Sequence, residues 1–394
     1  MQKSKFPSEL SFLIGVTFLF VMCYQIFDPI LPLYMREVGA TELDVGLMLA
    51  ASTLVGVILR IPFGMASDRF GRKSVIPISL GAQFASIILL YLVSHPLWFY
   101  PVLAFQALPM SLYWSSAAAL ASDMAPLEKR GEAIGRYFTG FGLAMFSGPF
   151  LCSFLTTFLN YRSVLLVLFP FPVISTAIFL KKLANQNKEF PERFQGKKHS
   201  VLASLKRIFK SDNVKTLYVV QILNSVPLGI FAALFSIYSL ETLLFTPSLI
   251  SLLFTARGGA NALIRMPVGR FSDRIGSRKY LLILSSGFHV LAYTIMSITG
   301  NYFLLVSAMI VFGLGWGMRV ALDNTLLVEN LDNRDRGLAL SISIASFGAG
   351  QFLGSAFAGF ATSFLLTNDV FKLAIPLYLS SIIVLTLAIR EKTE

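Results

Sequence analysis

Four charged residues lie well away from the cytoplasmic ends of long apolar stretches of the sequence, namely Asp28, Arg257, Arg319 and Asp323. A charge near the centre of a membrane helix costs roughly 2.5–3.5 kcal/mol on insertion scales, so such residues are functional candidates by default. A carboxylate can carry a proton, and a guanidinium can bind an anion or pair with a carboxylate. The residue types therefore indicate proton coupling or the recognition of charge in apolar surroundings.

Asp28 is followed by two prolines, Pro29 and Pro32. Proline has no N–H group to donate, so a helix is weakened here, and broken helices line the binding cavities of transporters. At about 1.5 Å per residue, Asp28 would lie about 8 Å from the membrane midplane, in the outer half. We predict that Asp28 is a proton-coupling residue; the alternative is an interfacial acid that caps the proline turn.

Two further pairs of polar residues are each four residues apart, so each pair shares one helix face: Arg257 with Asn261, and Arg319 with Asp323. The first three of these are predicted to bind substrate, and Asp323 is predicted to be a second proton-coupling acid. Alternatively, Arg319 and Asp323 form a buried structural pair that acts only in gating. Other residues could complete a pocket, although each alone is more often ordinary packing; these are Tyr24, Gln25, Tyr113, Trp114, Asn224 and Trp316.

The composition defines the elements that must position these residues. Of the 394 residues, 55% are hydrophobic and only 14% are charged, with a mean hydropathy of +0.70, which excludes a soluble globular protein and a disordered one. Twelve apolar runs have about the 20 residues that a membrane helix needs, so we predict an all-α membrane protein. The runs are 11–34, 43–65, 74–94, 97–121, 132–158, 163–180, 215–239, 247–269, 280–299, 302–327, 338–364 and 371–389.

The net charge of +12 follows the positive-inside rule. If the N-terminus is cytoplasmic, 26 of the 33 Lys and Arg residues fall on the cytoplasmic side, counting Arg136 and Lys215 at the cytoplasmic ends of their spans. Three fall in the opposite loops, and the other four, Arg60, Arg257, Arg265 and Arg319, lie further within spans. This asymmetry predicts a multi-pass protein of the cell membrane with both termini in the cytoplasm. It also explains the basic charge without nucleic acid as a partner.

The only long polar stretch is 181–214, which separates six spans from six. Within it, Leu202, Leu205, Ile208 and Phe209 fall on one face at helical spacing. This pattern fits a short amphipathic helix on the anionic cytoplasmic leaflet. A solvated linker with charges of both signs fits the stretch equally well.

The sequence contains an internal repeat. Residues 60–71 and 265–276 are identical at seven of twelve positions, and a basic tail follows each copy. A second, weaker repeat, with an offset of 206 residues, relates 123–133 to 329–339. In both repeats, the two copies lie between the same pair of spans in their respective halves. The chain is therefore predicted to contain two homologous six-helix halves.

The pattern Gly-x-x-x-Asp-Arg-x-Gly-Arg-Lys at Gly64–Lys73 resembles the signature loop of the major facilitator superfamily (MFS) of secondary transporters. The resemblance covers nearly the whole chain. It implies two pseudo-symmetric six-helix bundles, 1–180 and 215–394, joined by the cytoplasmic linker 181–214. It also implies alternating access of a central site, with helices 1, 4, 7, 8, 10 and 11 contributing to the cavity.

The resemblance further implies a conformational latch. Asp68 would meet the N-terminus of the eleventh helix, and Asp273 that of the fifth, where a carboxylate is stabilised by the helix dipole. We expect Gly64 and Gly71 to adopt tight or positive-φ conformations at the helix exit and in the turn. The latch set comprises Gly64, Asp68, Arg69, Gly71, Arg72 and Asp123 in the first half, and Gly269, Asp273, Arg274, Gly276, Arg278 and Glu329 in the second.

Ion pairs are expected beside the latch. Arg69 or Arg72 would pair with Asp123, and Arg274 or Arg278 would pair with Glu329. These contacts are expected to form only when the cytoplasmic side is closed, and so to favour the outward-facing state.

The sequence lacks a phosphate-binding loop, clustered cysteines and a nucleophile turn, so we expect no ATP motor, metal, cofactor or enzyme activity. The leading hypothesis is a monomeric, proton-coupled exporter of small organic molecules in the lipid bilayer. Gly148-Pro149 preserves part of a glycine-rich motif of antiporters, which favours efflux. The alternatives are an importer or exchanger of organic anions, with Arg257 and Arg319 as ligands, and a transporter-like sensor without flux.

Overall fold

The computed structural model describes residues 8–125, 129–184, 201–275, 277–332 and 335–389. Within these ranges the regular elements are helices, as the all-α prediction requires. The α-helices are α1 (Ser8–Phe27), α2 (Leu31–Glu37), α3 (Glu42–Phe70), α4 (Arg72–Leu92), α5 (Phe99–Asp123), α6 (Arg130–Phe158), α7 (Tyr161–Leu168), α8 (Pro170–Phe179), α9 (Val201–Ile208), α10 (Asp212–Ile237), α11 (Pro247–Ile275), α12 (Arg278–Ile298), α13 (Tyr302–Glu329), α14 (Arg336–Ala361), α15 (Thr367–Lys372) and α16 (Ala374–Ala388).

Ten of the predicted spans coincide with described helices, or runs of helix, that are long and apolar enough to cross a membrane. The other two coincide with α5 and α11, which have 25 and 29 residues. These are the helices that carry Trp114 and Arg257, and their polar residues reduce the mean hydropathy. All twelve predicted runs therefore correspond to helices.

The first span breaks where its prolines predict. A turn at 28–30 separates α1 from α2, and Pro32 lies in the first turn of α2, where a missing N–H costs no hydrogen bond. The same rule divides the sixth span, in which α8 begins at Pro170. The breaks therefore follow from proline chemistry.

The chain divides into two compact units. Unit 1 comprises Met1–Ala40, Ala51–Glu192 and Phe245–Thr255, and unit 2 comprises Thr41–Ala50, Arg193–Leu244 and Ala256–Glu394. Within unit 1, Gly140 and Gly148 of α6 let that helix approach α1 closely, since a Cβ at either glycine would collide with α1. Within unit 2, Gly350 and Gly354 of α14 do the same for α10. Small residues at such contacts are the usual device for close packing of membrane helices.

Each unit also includes one short segment from the other half of the sequence. The start of α3 belongs to unit 2, where Gly46 packs against Gly359 of α14. The start of α11 belongs to unit 1, where Ser248 shares a hydrogen bond of 2.9 Å with Ser153 of α6. Boundaries drawn from the sequence alone did not predict this exchange.

The predicted amphipathic helix of the linker is present as α9, and it belongs to unit 2. Ile208 is fully buried among Val214, Leu217 and other residues of the unit 2 core. Arg207 donates two hydrogen bonds, of 2.8 and 2.7 Å, to the carboxylate of Asp335, which is only 2% exposed. The buried face of α9 therefore contacts protein, whereas the sequence predicted either lipid or solvent around it.

Candidate functional site

The centre of unit 2 contains a buried ion pair on α13. Arg319 is 1% exposed; its Nε donates to Oδ2 of Asp323 over 3.2 Å, and its Nη2 donates to Oδ1 over 3.1 Å. The third guanidinium nitrogen, Nη1, donates to the hydroxyl of Ser286 on α12 over 3.2 Å. The spacing of four residues that the sequence showed thus becomes a bidentate contact, which fixes the plane of the guanidinium.

Hydrogen bonds continue from this pair through the interior of unit 2. Ser286 donates to Oδ1 of Asn224 on α10 over 3.3 Å, and Nδ2 of Asn224 donates to Ser381 on α16 over 2.6 Å. Four helices are therefore connected by one polar network. Asn224 is 2% exposed and its amide is engaged by these partners, so its position fits the support of the network better than direct contact with a substrate.

His289 lies next to the network and is packed in the interior of unit 2. Its Nδ1 is 2.7 Å from the carbonyl oxygen of Ser285, and since a carbonyl only accepts, Nδ1 carries the proton. The ring stacks on Tyr378 with centroids 4.7 Å apart. Nε2 of His289 has no hydrogen-bond partner among the described residues.

Sequence reasoning missed the glycines that hold α13 in place. A Cβ at Gly313 or Gly317 would collide with the backbone of α11, and a Cβ at Gly315 would collide with His289 and the backbone of α12. Alternate glycines thus let α13 pack closely on two neighbours just before Arg319. The Gly313-x-x-x-Gly317 spacing was a visible signal for this packing.

Arg257 of α11 lies in aromatic surroundings. Its guanidinium carbon is 4.8 Å from the ring centroid of Phe231 on α10 and 5.8 Å from that of Phe312 on α13. One turn further along α11, Asn261 is fully buried and its Oδ1 accepts a hydrogen bond of 3.0 Å from Nε of Arg265. The two residues share one helix face, as the sequence predicted.

Asp28 occupies the turn between α1 and α2, and its side chain is exposed. Its backbone N–H donates to the carbonyl of Tyr24 over 2.7 Å, which closes the last turn of α1. Tyr24 in turn donates to the carbonyl of Gln106 over 3.4 Å, and Gln25 packs against Gly148 of α6. This part of the predicted site thus belongs to unit 1 and lies at the helix break.

The predicted aromatic residues are packing elements of their units. Tyr113 is fully buried, stacks on Phe20 at 3.9 Å and shares a hydrogen bond of 2.8 Å with Thr17. Trp114 lies edge-on to Phe141 with centroids 5.2 Å apart. Trp316 has Phe347 of α14 at 5.4 Å.

The first signature loop matches the expectation at Gly71 and differs from it at Gly64. Gly71 has a φ of +86° at the start of α4, as expected, but Gly64 lies within α3 and has no positive φ. The helix continues through Gly64 because α3 ends only at Phe70. In the second copy, Gly269 likewise lies within α11. The side chains of Asp68, Asp273 and Arg274, and all of Gly276, lie outside the described residues.

Both ion pairs beside the latch are present. Arg72 pairs with Asp123 and also donates to the carbonyl of Ala119 over 2.8 Å, while Arg278 pairs with Glu329. Arg69 instead has its guanidinium 5.6 Å from the ring of Phe70. The expectation that these pairs need a closed cytoplasmic side is wrong, because each pair joins two helices of the same unit.

Two helical units with charges buried among apolar spans are typical of secondary membrane transporters. The sequence profile of the Major Facilitator Superfamily matches residues 13–239 and again 217–394, and the chain belongs to this family. It is therefore an MFS transporter of small molecules, a multi-pass membrane protein and not an enzyme.

Similar proteins agree with this assignment. An uncharacterised MFS-type transporter of Methanocaldococcus jannaschii is 23% identical over 87% of this chain and 88% of its own length. The multidrug resistance protein MdtG of Escherichia coli is 26% identical over 91% of this chain and 89% of its own. Among solved structures, a mutant of the nucleoside transporter NupG matches with a TM-score of 0.80 at 15% identity, covering 97% of this chain and all of that one, which shows the shared fold.

Proposed function

We propose that this transporter exports small organic molecules in exchange for protons. The observation that carries the proposal is the bidentate contact between Arg319 and Asp323 inside unit 2. A carboxylate held by a guanidinium loses that attraction when it takes up a proton, and Arg319 would then be available to other groups. Protonation would thus change the charge of the site at the moment when the substrate is exchanged.

Separating Arg319 from Asp323 costs free energy, and this cost depends on whether Asp323 is protonated. At about 4 Å and an effective dielectric constant of about 20, two unit charges attract by roughly 4 kcal/mol. Removing one partner of a buried pair costs about 3–5 kcal/mol, since it leaves an uncompensated charge. Neutralising Asp323 by a proton avoids that penalty for the acid, and a bound anion or Ser286 can compensate Arg319.

Asp28 is the second acid of the proposal. It lies in an exposed turn where α1 is interrupted, and such breaks place side chains beside transport pathways. Asp28 would exchange protons with water, whereas Asp323 would couple them to the buried network. The two acids therefore have distinct roles that separate variants can test.

The proposed direction of transport, export, is supported by similarity to other transporters. MdtG, which aligns with most of this chain, is named a multidrug resistance protein, and Gly148-Pro149 preserves part of an antiporter motif. The distribution of Lys and Arg supports a cell-membrane location with both termini cytoplasmic. We further propose that the protein works as a monomer in the lipid bilayer. A reporter fused to the C-terminus, active only in the cytoplasm, tests that orientation.

The transport test uses inverted membrane vesicles with an acidic interior and a panel of ethidium, tetracycline and benzoate. The proposal predicts that at least one probe enters the vesicles faster with the pH gradient than without it, and that its entry releases protons. Asp28→Asn should reduce the gradient-driven rate at least tenfold. The matched control is Asp369→Asn, whose acid pairs with Lys372 at the surface. Probe entry that is independent of the gradient would contradict proton coupling.

A further inference from the structure

We propose that unit 1 contains a buried binding site for a water molecule between α1 and α4, with Oε1 of Gln83 as its main ligand. The proposal is carried by a buried acceptor atom that lacks a protein donor and by a small polar cavity beside it. It is independent of the transported substrate and of proton coupling.

The side-chain amide of Gln83 on α4 is only half satisfied. The residue is 1% exposed, and its Nε2 donates a hydrogen bond of 2.7 Å to the carbonyl oxygen of Phe20 on α1. Because a carbonyl oxygen only accepts, this contact settles which amide atom is the nitrogen. Oε1 is then an acceptor with two lone pairs, and it has no hydrogen-bond partner among the described residues. Leaving a buried acceptor unsatisfied is unfavourable, so a donor from outside the chain would stabilise it.

A cavity inside unit 1 lies beside this amide. Its volume is about 10 Å³, which provides room for a water molecule and not for a drug-sized organic ligand. The cavity is enclosed by α1, α4, α5 and α7, and its polar lining consists of Cys23, Tyr24, Gln83, Ser86 and Gln106. The described lining residues carry no charged side chain, so a neutral donor is favoured over an ammonium ion.

The lining offers a water molecule the two to four polar partners that a buried water needs. The hydroxyl of Ser86 donates to the carbonyl of Gln83 over 2.8 Å, and that of Tyr24 donates to the carbonyl of Gln106 over 3.4 Å. Both hydroxyl oxygens therefore retain lone pairs that can accept. The water would donate one hydrogen to Oε1 of Gln83 and the other to one of these hydroxyls.

The equivalent position of unit 2 repeats the unsatisfied acceptor. His289 follows Gln83 by the repeat offset of 206 residues and is also 1% exposed. Its Nδ1 carries the proton, so Nε2 is an acceptor, and this atom likewise has no partner in the part of the chain that the structure describes. The feature thus occurs at the same place in both halves although the side chains differ. The proposal concerns Gln83, because the polar cavity lies beside it.

The first test is an experimental structure of the full-length protein in lipid nanodiscs, at a resolution that shows ordered water elsewhere in its interior. We expect a density peak at about 2.7–3.0 Å from Oε1 of Gln83, within the cavity. Absence of this peak where other buried waters are visible would overturn the proposal. A protein donor in contact with Oε1 would do the same.

The second test is X-ray hydroxyl-radical footprinting, in which radicals formed from a bound water oxidise the side chains beside it. Cys23 and Cys152 are both buried free cysteines of unit 1, but Cys23 alone belongs to the cavity lining. In the wild-type protein, Cys23 should be oxidised about fivefold faster than Cys152 or more. Equal rates would overturn the proposal, and this comparison needs no variant to fold.

Variants then assign the water to its ligand. Gln83→Met replaces the amide with an apolar side chain of similar length, and the oxidation rate of Cys23 should fall to that of Cys152. The matched control is Gln221→Met in unit 2, where the lost Oε1 accepts a hydrogen bond of 2.6 Å from Ser343, and the rate at Cys23 should not change. A folded Gln83→Met protein that keeps the wild-type rate at Cys23 would show that Gln83 does not hold the water.

Discussion

The centres of the two units contrast in their chemistry at equivalent positions. The repeat offset of 206 residues relates Tyr113 of α5 to Arg319 of α13. Tyr113 bonds to the hydroxyl of Thr17 and stacks on Phe20, whereas Arg319 bonds to a carboxylate. Both side chains are almost completely buried. The same place in the scaffold thus holds a neutral phenol in unit 1 and a cation in unit 2.

A second equivalent position shows the same divergence. Gln83 of α4 corresponds to His289 of α12, and both are 1% exposed. Gln83 donates to the carbonyl of Phe20 over 2.7 Å, while His289 bonds within its own helix and stacks on Tyr378. The close packing is retained, since Gly148 and Gly354 correspond and both lie at close helix contacts. The repeat therefore preserved helix packing while the interior polar groups changed.

The largest effect should come from breaking the ion pair of unit 2. Arg319→Met leaves the carboxylate of Asp323 without its partner and should reduce the free energy of unfolding by about 3–5 kcal/mol. Tyr113→Phe at the equivalent position should cost only about 1 kcal/mol, since Thr17 still donates to Leu13. Denaturant unfolding in detergent measures both. Equal losses would show that the contrast between the units has no energetic meaning.

A smaller effect, equal in the two units, is expected at the equivalent glycines that both units use for close helix packing. Gly148→Ala and Gly354→Ala each place a Cβ against the backbone of a neighbouring helix, and overpacking costs roughly 1–3 kcal/mol. Gly135→Ala is the control, because its Cβ would meet nothing within 4 Å. Melting temperatures in detergent should fall for the first two and stay level or rise for the third. A fall in melting temperature for only one of the two variants would show that the close packing is not equivalent in the two units.

The smallest effect should appear at the linker helix, because Arg207 is 34% exposed and water can reach Asp335 once the guanidinium is removed. Arg207→Ala removes the partner of the buried carboxylate of Asp335 and should lower the melting temperature more than Arg136→Ala, whose pair in unit 1 is exposed. Hydrogen bonding to Asp335 raises the pKa of Arg207 above that of a free guanidinium. Because a raised pKa gives stability that is lost only as pH rises through that value, the difference should be constant from pH 7 to pH 10. A difference that vanishes by pH 9 would contradict this assignment.

The sequence predicted what depends on local composition. Hydropathy located the twelve spans, Pro29 and Pro32 located the break, and the spacing of Arg319 and Asp323 anticipated their contact. Each of these features arises within one helix or one turn. The two homologous halves were also predictable, because the repeated segments are short and can be compared directly along the sequence.

Features that join distant helices could not be predicted. The network through Ser286, Asn224 and Ser381 needs three helices in register, and single serines in apolar spans carry no signal of a partner. The position of Phe231 over Arg257 depends on the same assembly. The predicted tight conformation of Gly64 was wrong because α3 continues to Phe70, beyond the start of the signature pattern.

The most direct test of the central claim compares Asp323→Asn with Tyr113→Phe in inverted vesicles, using a probe that the wild-type protein moves in response to a pH gradient. The claim is that charge in unit 2 couples transport to protons. Asp323→Asn should lose gradient-driven accumulation at least tenfold while it retains downhill movement of the probe, and Tyr113→Phe should remain within about twofold of wild type. Gradient-driven accumulation by Asp323→Asn at the wild-type rate would contradict the claim.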